Sequence, residues 1–243
     1  MRIRVFCFFV ALLLPAVPAP GQNQPSPADT ASKPAVKKDR PAKVDSADFY
    51  FKWAKALCDS ANYQMAVLKF KKAVILRHNF PEAWTEWGVA LANLGRSDEE
   101  IAKYQEAIKI DSAYGDAYFN WGTTLALQQQ FKEAAGMFKK GIVAAPKYPQ
   151  NYEGLGRLQT QTGFYAEAIK SFDKTLGLNP VNPWALFWQA GCWARLKKKT
   201  EALAALEKAI GCGGDFYKTE AEKDGAFNWL WNDKDFKKLI GVQ

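Results

Sequence analysis

From Ala47 to Phe216 the chain repeats with a period of 34 residues, five times in succession and without a gap. At that spacing an aromatic column reads Tyr50, Trp84, Tyr118, Tyr152 and then Leu186, and three residues later stand Trp53, Trp87, Trp121, Leu155 and Gln189. The next residue is always small: Ala54, Gly88, Gly122, Gly156, Ala190. Further along each unit come Ala66, Glu100, Ala134, Ala168 and Ala202, followed by Phe70, Tyr104, Phe138, Phe172 and Leu206. A period of this length is the mark of stacked supersecondary units, each too small to bury its own apolar face. It constrains the fold more than any bulk property does.

Within each unit the apolar residues recur at helical spacing, as in Leu57, Leu91 and Leu125 one turn after the small-residue column. Turn-forming residues such as Gly95-Arg96-Ser97 and Thr162-Gly163 divide each unit into two amphipathic halves. The spacing therefore predicts two antiparallel helices per unit. Their small-residue columns are expected where the backbones approach, with aromatic columns filling the space on either side.

These residues resemble the tetratricopeptide repeat, a helix–turn–helix family of the same period. Its pattern is met by Tyr118, Trp121, Gly122, Ala134, Phe138 and Pro146 in the third unit. In the fourth it is met by Tyr152, Leu155, Gly156, Ala168, Phe172 and Pro180. The resemblance implies an all-α, right-handed superhelical solenoid with units at 47–80, 81–114, 115–148, 149–182 and 183–216. It also implies that the first helix of each unit lines a concave groove. Three departures stand out: Glu100 in the Ala column, His78, Ser112 and Gly214 in place of the terminal Pro, and Gln189 with Trp193 in the fifth unit. Glu100 is expected opposite Gly88, partly desolvated, so that Glu100→Ala raises stability by roughly 0.5–2 kcal/mol.

The flanks read differently. Arg2 and Arg4 precede an apolar run from Val5 to Val17, and Ala19-Pro20-Gly21 supplies small residues for cleavage before Gln22. This is the pattern of a secretory leader. The run is short against the roughly 20 apolar residues of a membrane span; an uncleaved anchor is the alternative. Residues 22–46, rich in Pro, Ala and Lys, cannot bury enough surface to fold and read as a linker. Its cluster of Lys37, Lys38, Arg40 and Lys43 leaves open a contact with anionic lipid. Residues 217–243 read as a C-terminal helical cap with Phe227, Trp229, Leu230 and Phe236 as its apolar side, or else as a Trp-rich ligand site.

Chemistry finds few candidates. Outside the leader the cysteines are Cys58, Cys192 and Cys212, and the repeat geometry keeps Cys192 and Cys212 too far apart to bridge. No Cys-x-x-Cys or His-x-x-x-His spacing marks a metal site, and the single histidine, His78, falls in a turn. Gly211-Cys212-Gly213-Gly214 ends a helix and lacks the Lys-Ser/Thr of a phosphate loop. The expectation is a non-catalytic chain without cofactor or metal. Its net charge of +8 carries no nucleic-acid motif and sits mainly on second helices and loops, as in Lys139-Lys140 and Lys197-Lys198-Lys199.

The groove is where a partner would be read. Its ionisable residues are expected to be Asp48, Lys52, Lys55, Asp59, Glu82, Glu86, Asp116, Glu153, Arg157 and Arg195, a slightly acidic set. Phe51, Phe119, Phe187 and Trp188 are expected to project into it, either as binding anchors or as packing between units. The candidate binding residues are thus Phe51, Lys55, Phe119, Asn120, Arg157, Phe187, Trp188 and Arg195. Phe187, Trp188 and Arg195 are expected to form an aromatic pocket with one cation. The expected partner is a protein or peptide segment and the expected compartment is outside the cytoplasm, periplasmic or secreted. The absence of N-x-Ser/Thr sequons fits a bacterial setting. A membrane-tethered assembly factor and a regulatory subunit of an enzyme are the alternative roles.

Overall fold

The structure, a computed structural model, describes residues 46–242. The leader and all but the last residue of the linker lie outside the described residues.

Among the described residues, ten helices form five antiparallel pairs. They are α1 (Ala47–Asp59) with α2 (Tyr63–Leu76), α3 (Pro81–Asn93) with α4 (Ser97–Ile110), and α5 (Gly115–Leu127) with α6 (Phe131–Ala144). Then come α7 (Pro149–Gln161) with α8 (Tyr165–Leu178), and α9 (Pro183–Arg195) with α10 (Lys199–Gly213). Local signals set the boundaries. Ser46 caps α1 by accepting from the Phe49 amide at 3.1 Å, and Pro81, Pro149 and Pro183 occupy the first turn, where no amide is needed. Each first helix ends on a residue with positive φ: Ala61, Gly95, Gln129, Gly163 and Lys197, again 34 apart. The next amide reaches back to the helix, as from Arg96 to the Leu91 carbonyl at 3.0 Å and from Gln130 to Leu125 at 2.9 Å. Glycine supplies this left-handed conformation twice. At the other three positions a side chain is held in it, which is why only two of the five turns are conspicuous in the sequence.

At its three glycines the small-residue column has a different purpose from the one expected. A Cβ at Gly122 would lie 2.7 Å from the Phe138 ring, one at Gly156 2.9 Å from the Phe172 ring, and one at Gly88 would collide with Tyr104. Glycine is there to admit the aromatic ring of its own unit's second helix, not another backbone. Phe138 also lies against Gly154 of the following unit, so that one ring joins two units.

Glu100, consequently, does not face Gly88. It is 2% exposed and accepts a hydrogen bond from the Thr124 hydroxyl of the next unit. The matching pairs elsewhere are Ala66 with Ala90, Ala134 with Leu158, and Ala168 with Cys192, which share apolar clusters. A polar pair has replaced an apolar one at a single interface. Burial pushes the Glu100 carboxyl above its usual range, and the Thr124 hydrogen bond opposes this only in part. A raised carboxyl pKa favours the fold below the ordinary carboxylate range, and that contribution is lost as pH rises through the raised value. Glu100→Gln keeps the shape and an acceptor for Thr124 while removing the charge. It is expected to raise stability near pH 7 by roughly 0.5–2 kcal/mol, with the advantage closing on acidification. Urea melts of both proteins across the pH range measure this; an advantage independent of pH contradicts it.

The C-terminus closes the stack. Helix α11 (Phe216–Lys223), a 3-10 turn (Gly225–Leu230) and α12 (Lys234–Ile240) cover the last pair. Tyr217, Ala221, Phe227, Leu230, Phe236 and Ile240 are buried in one cluster with Leu186, Phe187 and Leu206. Trp229, expected on the apolar side, is 37% exposed; its indole N–H donates to the Ala194 carbonyl at 3.0 Å and Lys197 lies over the ring. The 3-10 geometry turns Phe227 and Leu230 inward and leaves Trp229 at the rim. No helix among the described residues is long and apolar enough to cross a membrane.

Candidate functional site

Each second helix packs on the first helix of the next unit, and consecutive first helices also touch directly: α1 on α3, α3 on α5, α5 on α7, α7 on α9. Consecutive second helices among the described residues make no comparable contact. First helices therefore lie on the inner, shorter side of the curve. The residues they present there form the concave face.

A cavity of about 270 Å³ opens on this face across the first three units. It is lined by Phe51 and Lys55 from α1, by Glu82, Thr85, Glu86 and Val89 from α3, by Asp116 and Asn120 from α5, and by Tyr114 just before α5. The α3 residues are spaced as i, i+3, i+4 and i+7, a single helical stripe. At the fifth position of the first helices stand Phe51, Thr85, Phe119, Glu153 and Phe187. Thr85 and Glu153 interrupt an otherwise aromatic column, and the cavity lies at the first of these breaks.

The lining is polar and net negative. Lys55 pairs with Glu86 at 3.3 Å, leaving the carboxylates of Glu82 and Asp116. Asp116 accepts from the Tyr148 hydroxyl, which fixes its orientation. The Tyr114 hydroxyl registers the local field. Its ionisation is pushed up first by burial and then by the charges of Asp116, Glu82 and Glu86. Cys58, behind Glu86, is likewise pushed up to about 11 by burial and then by Glu86. Thr85 is 3% exposed, and its hydroxyl has no hydrogen-bond partner.

The structure divides the predicted binding residues into three groups. Phe51, Lys55 and Asn120 meet in this cavity, Phe51 being braced by Phe80 with ring centroids 4.8 Å apart. Arg157 and Trp188 meet one another further along the groove, the guanidinium 5.8 Å from the indole centre. Phe187 and Arg195 serve the architecture, and Phe119 stands apart from both clusters. Phe119 leans on Phe138 within its own unit. Phe187 is 5% exposed and packs against Tyr217 and Phe227 of the cap. Arg195 is paired with Asp224 of the cap at 3.0 Å. The expected pocket of Phe187, Trp188 and Arg195 therefore does not form. The cap takes two of its three members, because a terminal unit presents the same face to a closing helix that inner units present to the next repeat. Thr85, Val89 and Tyr114 escaped the sequence reading. The break in the aromatic column at Thr85 was the available signal.

Two of the expected groove charges are also paired within their own units. Asp48 accepts from Arg77 at 2.5 Å, and Glu153 accepts from Asn182 at 2.9 Å. In the fifth unit Gln189 donates to Asp173 at 2.7 Å, a polar tie between α8 and α9 where other units place an aromatic or Leu.

Comparison with known proteins supports the same architecture. The tetratricopeptide repeat family profile matches residues 51–115 and 153–215. No curated protein matches the sequence. Among solved structures, TTC0263, a thermophilic TPR protein of Thermus thermophilus, superposes with a TM-score of 0.61 at 18% identity, covering 75% of this chain and 99% of that one. PilF of Pseudomonas aeruginosa superposes with a TM-score of 0.59 at 17% identity, covering 80% and 96%. YrrB, described as a TPR protein with an unusual peptide-binding site, superposes with a TM-score of 0.53 at 20% identity, covering 75% and 94%. At these identities the likeness shows the fold alone.

Proposed function

The chain belongs to the tetratricopeptide repeat family, and on that premise we propose that it is a non-catalytic adaptor that holds a peptide segment of another protein in its concave groove. The observation that carries this reading is the cavity lined by Phe51, Lys55, Thr85, Glu86 and Asn120. It is concave, it joins side chains from three consecutive units, and it combines an apolar wall with hydrogen-bonding groups. Binding sites are commonly built in this way. The convex side presents lysines such as Lys139 and Lys140 to solvent. YrrB's peptide-binding site lends the reading an analogy within the fold.

The test is capture of an immobilised random dodecamer library by the full chain. Selective retention of a subset of peptides is the expected result; retention of none overturns the proposal. We place the adaptor outside the cytoplasm on the strength of the leader pattern at 1–21. The chain recovered from its native host is then expected to begin near Gln22, as read by N-terminal sequencing. Recovery with Met1 in place contradicts this.

A further inference from the structure

We infer that the cavity across the first three units receives a basic side chain, arginine or lysine, of the bound polypeptide. The inference rests on the groove reading above and gives it a partner chemistry. Four observations lead to it. Three carboxylates, Glu82, Glu86 and Asp116, line the cavity against one ammonium group, Lys55. This negative spot lies on a chain whose net charge is +8, so it is a local arrangement and not a reflection of bulk composition. The Thr85 hydroxyl is buried, lines the same cavity and has no partner. A buried polar group left unpaired is costly. The walls are aromatic, with Phe51 on one side and Tyr114 on the other. Lys55 lies 5.7 Å from the Phe51 ring centre, a cation–π contact within α1 at the same wall.

A guanidinium fits this set best. Its five donors lie in one plane and suit a mixed group of carboxylate and hydroxyl acceptors, while its faces stack on aromatic rings. An acidic peptide side chain is the opposite case: it would meet Glu82 and Asp116 with no lining cation but Lys55, which is already shared with Glu86. Asp116 is held by the Tyr148 hydroxyl and belongs to the unit interface as much as to the cavity. Glu82 and Glu86 are the charges that can be removed with the smallest disturbance to packing.

The experiment sorts the dodecamer library by a fixed central residue: Arg, Lys, Gln or Glu. The full chain is tested beside the double variant Glu82→Gln/Glu86→Gln. The expected result is enrichment of the Arg and Lys sublibraries over Gln and Glu, falling about tenfold in the double variant and weakened by added salt. The helical circular-dichroism melt identifies any unfolding of the variant. Should it unfold, Thr85→Val serves as the second probe, expected to reduce Arg enrichment with the charges intact. Retention of peptides regardless of their central charge, or basic preference undiminished in a folded variant, overturns the inference and leaves the groove reading in place. Retention of no peptide overturns both.

Discussion

Replacing Phe138 with alanine lowers the free energy of unfolding by about 3–5 kcal/mol, the range for emptying a fully buried aromatic site. The ring sits between Gly122 of its own unit and Gly154 of the next, so its loss opens a void on both sides of an inter-unit boundary. Neither glycine has a side chain with which to refill the space. The same change at Phe164, which is largely exposed at the start of α8, is expected to cost less than about 0.5 kcal/mol. Urea denaturation of the two variants measures the contrast. Equal midpoints contradict the view that the glycine column exists to admit these rings.

Deleting residues 217–243 is expected to unfold the fifth unit while the first three keep their structure. The cap buries Phe187, Leu186 and Leu206 beneath Tyr217, Phe227 and Phe236, and Arg195 pairs with Asp224 across the same boundary. Removing it exposes that apolar face and strands the Arg195 guanidinium. Because each unit touches its neighbours and little else, the damage stays at the end of the stack. Hydrogen exchange should show lost protection in α9 and α10 with α3 to α6 unchanged. The single change Phe187→Ala is expected to act in the same direction, at about 3–5 kcal/mol if the whole ring site is emptied. Peptide capture by the truncated chain is expected to persist, since the candidate cavity lies in the first three units. Uniform loss of protection along the chain, or loss of capture, contradicts this.

The repeat itself was legible because a solenoid writes its packing into columns. Helix starts at Ala47, Pro81, Gly115, Pro149 and Pro183 follow the period, and the rings of Phe70, Tyr104, Phe138 and Phe172 are buried at the positions the pattern assigns to them. What the columns could not disclose was the partner of each residue. The glycine at position 88 reads as a place for a second backbone until the Tyr104 ring is seen against it. Glu100 looks uncompensated until Thr124, 24 residues away in the next unit, supplies a hydroxyl. Edges were harder still. Phe187 and Arg195 occupy groove positions by register, but the fifth unit has no sixth to pack on, and the cap takes their place. Thr85 was passed over because a small polar residue reads as unremarkable. Its column carries Phe in the first, third and fifth units.

Photo-crosslinking addresses the concave-groove claim most directly. The best-retained dodecamer, remade with a benzophenone group at one end, is irradiated in complex with the full chain and the attachment sites are located by mass spectrometry. The groove account predicts attachment on α1, α3 and α5 at or beside residues lining the cavity, such as Phe51, Val89 and Asn120. Attachment confined to the opposite face, around Tyr118, Lys139 and Val143, would contradict it.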